Sequence, residues 1–339
     1  MVLWWENEPV PDFVRKACLS PAMKRIRGVD MNCGMNYTQF PLFRNIGPYT
    51  RYEHSLGVCC IAWSLTGDPA AALAGLFHDI AAPAFSHVVD FAKGDYKKQE
   101  ATEERTAVII EKDPVIQGVL GELGLTTDRV AHDERYPIVN SASPKLCADR
   151  FEYSLGNMVN YGFAGMEEAK WYLQNVTAGT NEEGDAEILF TDRAAAAAFA
   201  ERALQCGKVY SAENDRYGME ILAELLEKAL QEGILAEEDL YTTEREVIQK
   251  LLASPLAAEW ERFTRLKELE IRRDPPEEGE NGWLCLHVKK RWINPLAAGG
   301  KRVYDYDPAF HKALDAFLSD DQNTYLRDAR WRERSESNE

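Results

Sequence analysis

The chain lacks the sequence features of a secreted, disulfide-bonded or membrane-spanning protein. Its seven cysteines are odd in number and show no CxxC spacing, which argues against a disulfide framework and a zinc ribbon and suits a reducing cytosol. The N-terminus carries acidic residues early and has no basic start followed by an apolar core, so we expect no signal peptide. No run of ~18 apolar residues, the length of a membrane span, occurs. These absences predict a cytoplasmic protein without a membrane segment.

Positive charge is also scarce. The 339 residues include 56 acidic and 39 basic ones, which gives a formal net charge of −17. A surface so negative repels phosphate backbones, which argues against a protein that coats nucleic acid. It does not exclude a small anionic substrate in a locally basic pocket. The length allows one large hydrophobic core or two modest ones.

Helical patterns dominate the chain and predict a mainly α protein with roughly a dozen helices and two to four strands. We expect a turn-rich N-terminal segment over residues 1–50 that packs on a helical core over 51–262. Residues 266–273 and 283–292 alternate apolar and polar side chains, which predicts a two-stranded antiparallel hairpin with a long loop. This hairpin and a final helix would form a small C-terminal α+β extension over 263–326, followed by a charged tail over 327–339.

A histidine–aspartate pair, His78-Asp79, ends an apolar helix-forming stretch within AALAGLFHDIAAPAFSHVVD. Another histidine, His54, precedes the pair in RYEHSLGV, and Asp149 follows it in LCADRFEY. Imidazole and carboxylate groups together bind divalent transition metals, and they are costly to bury without a partner. The alternative is that both histidines are satisfied core residues.

These motifs, in this order, resemble the HD-domain metal-dependent phosphohydrolase superfamily, and most closely its branch that includes the deoxynucleotide triphosphohydrolases. The pattern of that branch reads R-F-E-H-S-L-G-V, then H-D-x-G-H-x-x-F-S-H-x-x-D, then D-x-x-x-Y. The resemblance covers residues 20–160 well and the rest loosely. It implies an HD-domain helical bundle that hydrolyses a phosphate ester or anhydride, with a phosphorylated small molecule, a nucleotide above all, as substrate. Relatives in this family are often oligomeric, so the resemblance also implies a homo-oligomer.

The resemblance implies that His54, His78, Asp79 and Asp149 are metal ligands. They would hold one or two divalent ions; Mn, Fe, Mg, Ni and Zn are all chemically admissible, and nitrogen and oxygen ligands favour the transition metals. Asp79 would bind a single ion or bridge two. The cation would lower the pKa of a coordinated water so that it attacks phosphorus near neutral pH.

Three further positions match substrate-binding positions of the family. Arg51 matches an arginine that contacts phosphate, for which a guanidinium is geometrically suited. Tyr153 matches a tyrosine one turn after the last ligand, which would donate a hydrogen bond to substrate. Asp90 matches the aspartate that closes S-H-x-x-D. A surface arginine and a core tyrosine are the alternatives for the first two.

The departures from the pattern concern the acid that protonates the leaving group. Ala82 stands where the branch has a histidine three residues after the HD pair, and Thr102 stands where it has a second one. Losing a positioned general acid typically lowers the rate by ~10²–10⁴-fold. Glu103, which matches the glutamate beside the second position, is our first candidate for a replacement, and His87 is the second. Each glutamate of this helix fits an exposed helical charge equally well.

Other departures leave two alternative functions open. The R-D that follows the tyrosine in the branch is Gly156-Asn157 here, so a further phosphate contact is missing. A nucleotide-binding regulator that keeps the metal site but has weak or no turnover would explain these changes. A scaffolding protein with a vestigial site would carry no stoichiometric metal.

Overall fold

The computed structural model describes residues 10–86, 88 and 99–330, with only the backbone for residues 99–104. Helices account for most of this part of the chain, and the prediction of a mainly α fold is confirmed. The helices are α1 (Asp12–Ala17), α2 (Pro21–Arg25), α3 (Arg51–Thr66), α4 (Pro69–Phe77), α5 (Gln99–Lys112), α6 (Pro114–Leu123), α7 (Thr127–Val130), α8 (Ala148–Asn160), α9 (Met166–Gln174), α10 (Arg193–Val209), α11 (Glu213–Gln231), α12 (Glu244–Leu252), α13 (Ala257–Thr264), α14 (Val303–Tyr306) and α15 (Pro308–Ser319). No helix of the described residues is long and apolar enough to cross a membrane.

Helix α3 begins and ends at residues that the sequence marks clearly. The Thr50 backbone N–H donates to the Glu53 carboxylate at 2.8 Å, and the Thr50 hydroxyl accepts from the Glu53 N–H, which together form a capping box. Gly67 closes the helix with a left-handed φ of 63°. Asp68 then caps α4 by accepting from the Ala70 N–H, with Pro69 in the first turn. The short link makes α3 and α4 antiparallel neighbours.

Helix α3 packs between α4 and α8, and apolar side chains fill both sides of it. One hydrophobic cluster joins α8 and α10 to the strand Ala186–Phe190, with Phe151, Phe190 and Phe199 packed ring against ring. Another cluster joins α3 and α4 to α1, α2 and α6. Complete burial of an aromatic or aliphatic side chain contributes ~1.5–3 kcal/mol. The cross-packed helices therefore hold the start of α3, the end of α4 and the start of α8 at one place.

Strands form two small sheets within the described residues. The first has the order β1 (Val176–Thr180), β2 (Ala186–Phe190), β5 (Leu296–Ala297), β6 (Lys301–Arg302). In it β1 and β2 form an antiparallel hairpin, in which Val176 pairs with Phe190, and β2 runs parallel to β5. The sequence analysis does not predict this hairpin, because its two strands are short and end at a charged turn.

The second sheet corrects the predicted C-terminal hairpin. Strands β3 (Leu269–Arg272) and β4 (Leu284–Cys285) do not pair with each other; both pair with β7 (Tyr325–Asp328), which lies between them. Leu326, which is buried on β7, pairs with Ile271 of β3 on one side and with Leu284 of β4 on the other. The strand also includes Arg327, which is 5% exposed, so the charged tail does not begin there.

Candidate metal centre

Three helices deliver the four predicted ligands to one place. His54 lies in the first turns of α3, His78 and Asp79 follow the last residue of α4, and Asp149 lies in the first turn of α8. Helix α4 stops at Phe77, and the chain turns there through a hydrogen bond from the Ile80 N–H to the Phe77 carbonyl. This turn directs both side chains of the pair away from the apolar body of the helix.

The ligand atoms of the predicted set are close enough to share a cation. The Nε2 atom of His54 lies 3.1 Å from His78 Nε2 and 3.1 Å from Asp149 Oδ1. The ligand atoms of these three residues all lie within 4.8 Å of one another. Asp79 Oδ2 lies 3.5 Å from His78 Nε2 and 3.8 Å from His54 Nε2. The structure thus brings together all four residues that the sequence singles out as ligands.

The hydrogen bonds of the two imidazole rings fix which nitrogen faces the centre of the cluster. His54 Nδ1 lies 2.5 Å from Glu152 Oε2, and His78 Nδ1 lies 2.7 Å from the Gly75 carbonyl oxygen. Both partners only accept, so each Nδ1 carries a proton and each Nε2 faces inwards. Two Nε2 atoms beside two carboxylates need a positive charge between them, which is either a proton on Nε2 or a cation that takes its place. A divalent cation of the transition series fits this donor set.

The pKa values in the cluster show which of its groups carry charge. Burial lowers the pKa of His54, but hydrogen bonds to Asp149 and Glu152 outweigh burial and raise this pKa to about 10. Burial raises the pKa of Asp149, but the hydrogen bond from His54 and its charge bring it down to about 2. Burial also opposes ionisation of Asp79, and the charge of Arg51 outweighs it and holds the Asp79 pKa well below the usual range. Both aspartates are therefore anionic and attract a cation.

Arg51 binds one of the predicted ligands directly. Its side chain is buried; Nη1 donates to Asp79 Oδ2 at 2.7 Å and Nε donates to the Ser86 hydroxyl at 3.0 Å. Its backbone N–H donates to the Val29 carbonyl at 2.8 Å. The guanidinium thus orients Asp79 and neutralises part of its charge. The contact with phosphate that the sequence analysis expects of Arg51 stays a prediction.

Tyr153 lies one helical turn beyond Asp149, as the sequence predicts, and is half-buried. Burial and the charge of Asp149 raise the pKa of its hydroxyl. Its ring packs edge-on against Tyr210 at 6.3 Å between centroids, and the Tyr210 hydroxyl accepts from Asn157 Nδ2 at 2.7 Å. Tyr153, Asn157 and Tyr161 follow Asp149 at intervals of four residues, so they form one stripe that leads away from the metal centre.

At Ala82, where the family pattern has a histidine, the chain forms a tight backbone turn. The Ala82 side chain is buried, and the carbonyl oxygens of Ile80 and Ala82 each accept from Arg25 Nη2 at 2.8 Å. Glu103 lies on α5 in the part for which only the backbone is described. His87 and Asp90 lie outside the described residues. Their assignments as general acids and substrate contact therefore stay predictions.

Two carboxyl groups near the centre are absent from the sequence analysis. Glu152 holds His54, and its spacing of three residues from Asp149 on a helix is the signal that could have revealed it. Asp133 lies on the 3₁₀ turn Asp133–Arg135, which packs on α4, and it accepts from Asn140 Nδ2 at 3.0 Å. Burial raises the pKa of Asp133, while the charge of His78 lowers it. No motif marks Asp133 in the sequence.

Comparison with known proteins agrees with this geometry. The HD domain family matches residues 51–132, which contain three of the four predicted ligands. The chain is 32% identical over 208 residues to the uncharacterized protein YdhJ of Bacillus subtilis, which is 60% of this chain and 62% of YdhJ. It is 29% identical over 154 residues to the metal-dependent phosphohydrolase cns2 of Cordyceps militaris, which is 45% of this chain and 44% of cns2. The chain thus spans less than two thirds of the curated relatives it matches. On these grounds residues 51–132 of the chain form an HD domain.

Proposed function

We propose that the chain is a metal-dependent phosphohydrolase that cleaves a phosphate ester or anhydride of a nucleotide. The observation that carries this proposal is the convergence of His54 and His78 Nε2 with the carboxylates of Asp79 and Asp149. The similarity to a protein named as a metal-dependent phosphohydrolase supports the reaction class. A cation held by these four residues would polarise a phosphoryl oxygen and activate a water for attack.

The chain's own residues would prepare this reaction in distinct ways. Glu152 and the Gly75 carbonyl hold both imidazoles with Nε2 inwards, so the ligands need not reorganise when the cation binds. Arg51 holds Asp79 anionic and places a fixed positive charge beside the reacting phosphate. The methyl side chain of Ala82 has no acidic proton to transfer, so the leaving group must be protonated by another residue or need no proton. Asp133 is a described candidate, because burial raises its pKa, although the charge of His78 lowers it.

A nucleotide substrate is supported by the stripe on α8 and by the groups beyond it. Base and sugar would lie along Tyr153 and Tyr210, which offer aromatic faces and hydroxyl groups. Asp215 lies further on, at the start of α11; burial raises its pKa to about 8, although Arg291 and Arg216 lower it. A carboxyl that keeps its proton at neutral pH both donates and accepts, which matches the edge of a nucleobase. The charge of Arg291 also lowers the pKa of Tyr153, so this guanidinium acts on both Asp215 and Tyr153.

The proposal is tested by phosphate or pyrophosphate release from a panel of nucleoside mono-, di- and triphosphates, with Mn²⁺, Mg²⁺, Ni²⁺, Zn²⁺ or Fe²⁺ added to metal-free protein. We expect release with at least one pair, and a loss of ~10³-fold or more in His78→Ala, since a ligand of the reacting cation is removed. His311→Ala is the matched control, because this imidazole lies on α15 and pairs with Asp315.

A second candidate function is a nucleotide-binding regulator without turnover, and the buried Ala82 side chain and the closed turn around it favour it. Metal-loaded protein that binds nucleotides but releases no product from any member of the panel would support this candidate over hydrolysis. Binding by the wild type that is lost in His78→Ala would then assign the metal centre to recognition.

A further inference from the structure

We propose that Tyr49 and Glu152 form a buried support that keeps His54 competent to bind the cation, and that Gly156 is glycine because this support needs its space. The inference rests on the proposed metal centre and assigns to it two positioning residues that do not bind the ion themselves. It also gives a reason for one departure from the family pattern, the glycine in place of arginine at position 156.

Glu152 is completely buried and receives two hydrogen bonds on one oxygen. Its Oε2 atom lies 2.5 Å from His54 Nδ1 and 2.5 Å from the Tyr49 hydroxyl oxygen, and both of these groups donate. Its other oxygen, Oε1, has no hydrogen-bond partner among the described residues. A carboxylate that is buried with so few partners is costly. The arrangement is therefore better suited to control of the His54 ring than to stabilisation of the fold.

Tyr49 holds the carboxylate in this position. Its ring is fully buried at the end of the segment before α3, and its backbone carbonyl accepts from the Met31 N–H at 2.8 Å. The ring lies directly against Gly156 on α8, where a Cβ atom would overlap both the ring and the hydroxyl group. Any larger residue at position 156 would push Tyr49 away from Glu152. The absence of a side chain at 156 is thus linked to the presence of tyrosine at 49.

The support acts on His54 by fixing its tautomer and its orientation. A carboxylate on Nδ1 keeps the proton on that nitrogen, directs the Nε2 lone pair towards His78 and Asp149, and makes the imidazole a stronger ligand. When such a partner is lost, metal affinity typically falls by 10–100-fold. Without Glu152, no hydrogen bond on Nδ1 opposes rotation of the ring about its Cβ–Cγ bond.

The test measures Mn²⁺ binding to metal-free protein by isothermal titration calorimetry, in the wild type, Glu152→Gln, Tyr49→Phe and Gly156→Ala. Unfolding by denaturant in the presence of a chelator is followed in parallel. The matched control is Glu244→Gln, which alters another buried glutamate that accepts from a tyrosine hydroxyl, that of Tyr37, but touches no predicted ligand. This design separates an effect on the metal centre from an effect on the fold.

We expect Glu152→Gln to weaken Mn²⁺ binding by ~10–100-fold, and Tyr49→Phe and Gly156→Ala to weaken it by a smaller but measurable factor. Glu244→Gln should keep the wild-type affinity. Folded Glu152→Gln that binds Mn²⁺ as tightly as the wild type would overturn the inference, and so would an equal loss in Glu244→Gln. If Glu152→Gln does not fold, an unchanged affinity in Tyr49→Phe overturns it.

Together with the nucleotide panel, this test distinguishes failure of the proposed support from failure of the proposed function. A wild type that binds Mn²⁺ but hydrolyses no nucleotide would refute the proposed function and leave the support intact if Glu152→Gln weakens binding. A wild type that hydrolyses nucleotides, with unchanged affinity in Glu152→Gln, would refute the support alone. A wild type that binds none of Mn²⁺, Fe²⁺, Mg²⁺, Ni²⁺ and Zn²⁺ would refute both.

Discussion

Glu244→Gln is expected to stabilise the protein at alkaline pH and to have little effect in acid. Glu244 is 2% exposed, and its carboxyl accepts from the Asp30 backbone N–H at 2.9 Å and from the Tyr37 hydroxyl at 2.8 Å. Burial, with the nearby charge of Asp30, raises its pKa from an ordinary 4.5 to about 7. The folded state therefore keeps a proton that the unfolded chain releases near pH 4.5.

The sign and size of the effect follow from this difference in pKa. Stability falls as the pH rises from about 4.5 to about 7, because only the unfolded chain gains from ionisation in this range, and the loss is complete above it. A difference of two to three pKa units corresponds to on the order of 3 kcal/mol. Glutamine cannot ionise, and its carbonyl oxygen can still accept from the Asp30 N–H. The substitution should recover up to this amount at pH 8 and almost none at pH 4.5.

Equilibrium unfolding in urea at several pH values measures the effect. Glu246→Gln is the matched control on the same helix, because the Glu246 side chain is exposed and its Thr243 hydrogen bonds lower its pKa. Replacement of the Glu246 carboxylate should not raise the free energy of unfolding at pH 8. A Glu244→Gln variant whose difference from the wild type is the same at pH 4.5 and pH 8 would refute the reasoning.

Three further predictions concern the centre and its surroundings. Arg51→Ala leaves the Asp79 carboxylate buried without its ion pair, so metal-free protein should lose ~3–5 kcal/mol of unfolding free energy, and saturating Mn²⁺ should recover part of it; an equal loss with and without Mn²⁺, by urea unfolding, would contradict this. Asp133→Asn and Glu103→Gln distinguish two candidate acids when kcat is measured for a series of aryl phosphates. The variant that removes the acid should lower kcat by ~10²-fold or more for substrates with poor leaving groups, and much less for substrates with good ones. Asp215→Ala should raise KM for nucleotides by roughly tenfold with little change in kcat, since it removes the proposed contact to the base; a fall in kcat at constant KM would place Asp215 in the chemistry instead.

The proposed metal ligands could be singled out because each lies in a local motif of the family pattern. His54 and the His78-Asp79 pair lie in motifs of adjacent residues, and Asp149 opens an amphipathic helix, so the resemblance in motif order was enough to propose them. The structure then brings all four within reach of one another. The supporting residues were not predictable in this way. Glu152 is recognisable only when its helix faces His54, and Tyr49 only when its ring is seen against Gly156.

The strands were harder to predict because their partners are distant in sequence. Alternation located β3 and β4, but the strand between them, β7, has four residues and begins 40 residues after the end of β4 and 53 after the end of β3. Proximity in sequence made the two alternating segments look like a hairpin. Both segments pair instead with β7 at the buried Leu326, and no local pattern reveals this pairing.

Binding of Mn²⁺ to metal-free protein, measured as the number of ions per chain, tests the central claim most directly. We predict one or two equivalents bound by the wild type and by His311→Ala, and loss of stoichiometric binding in both His54→Ala and Asp149→Asn, with all variants folded. Wild-type protein that binds neither Mn²⁺ nor any of Fe²⁺, Mg²⁺, Ni²⁺ and Zn²⁺, or ligand variants that bind Mn²⁺ as the wild type does, would contradict the metal centre and the function built on it.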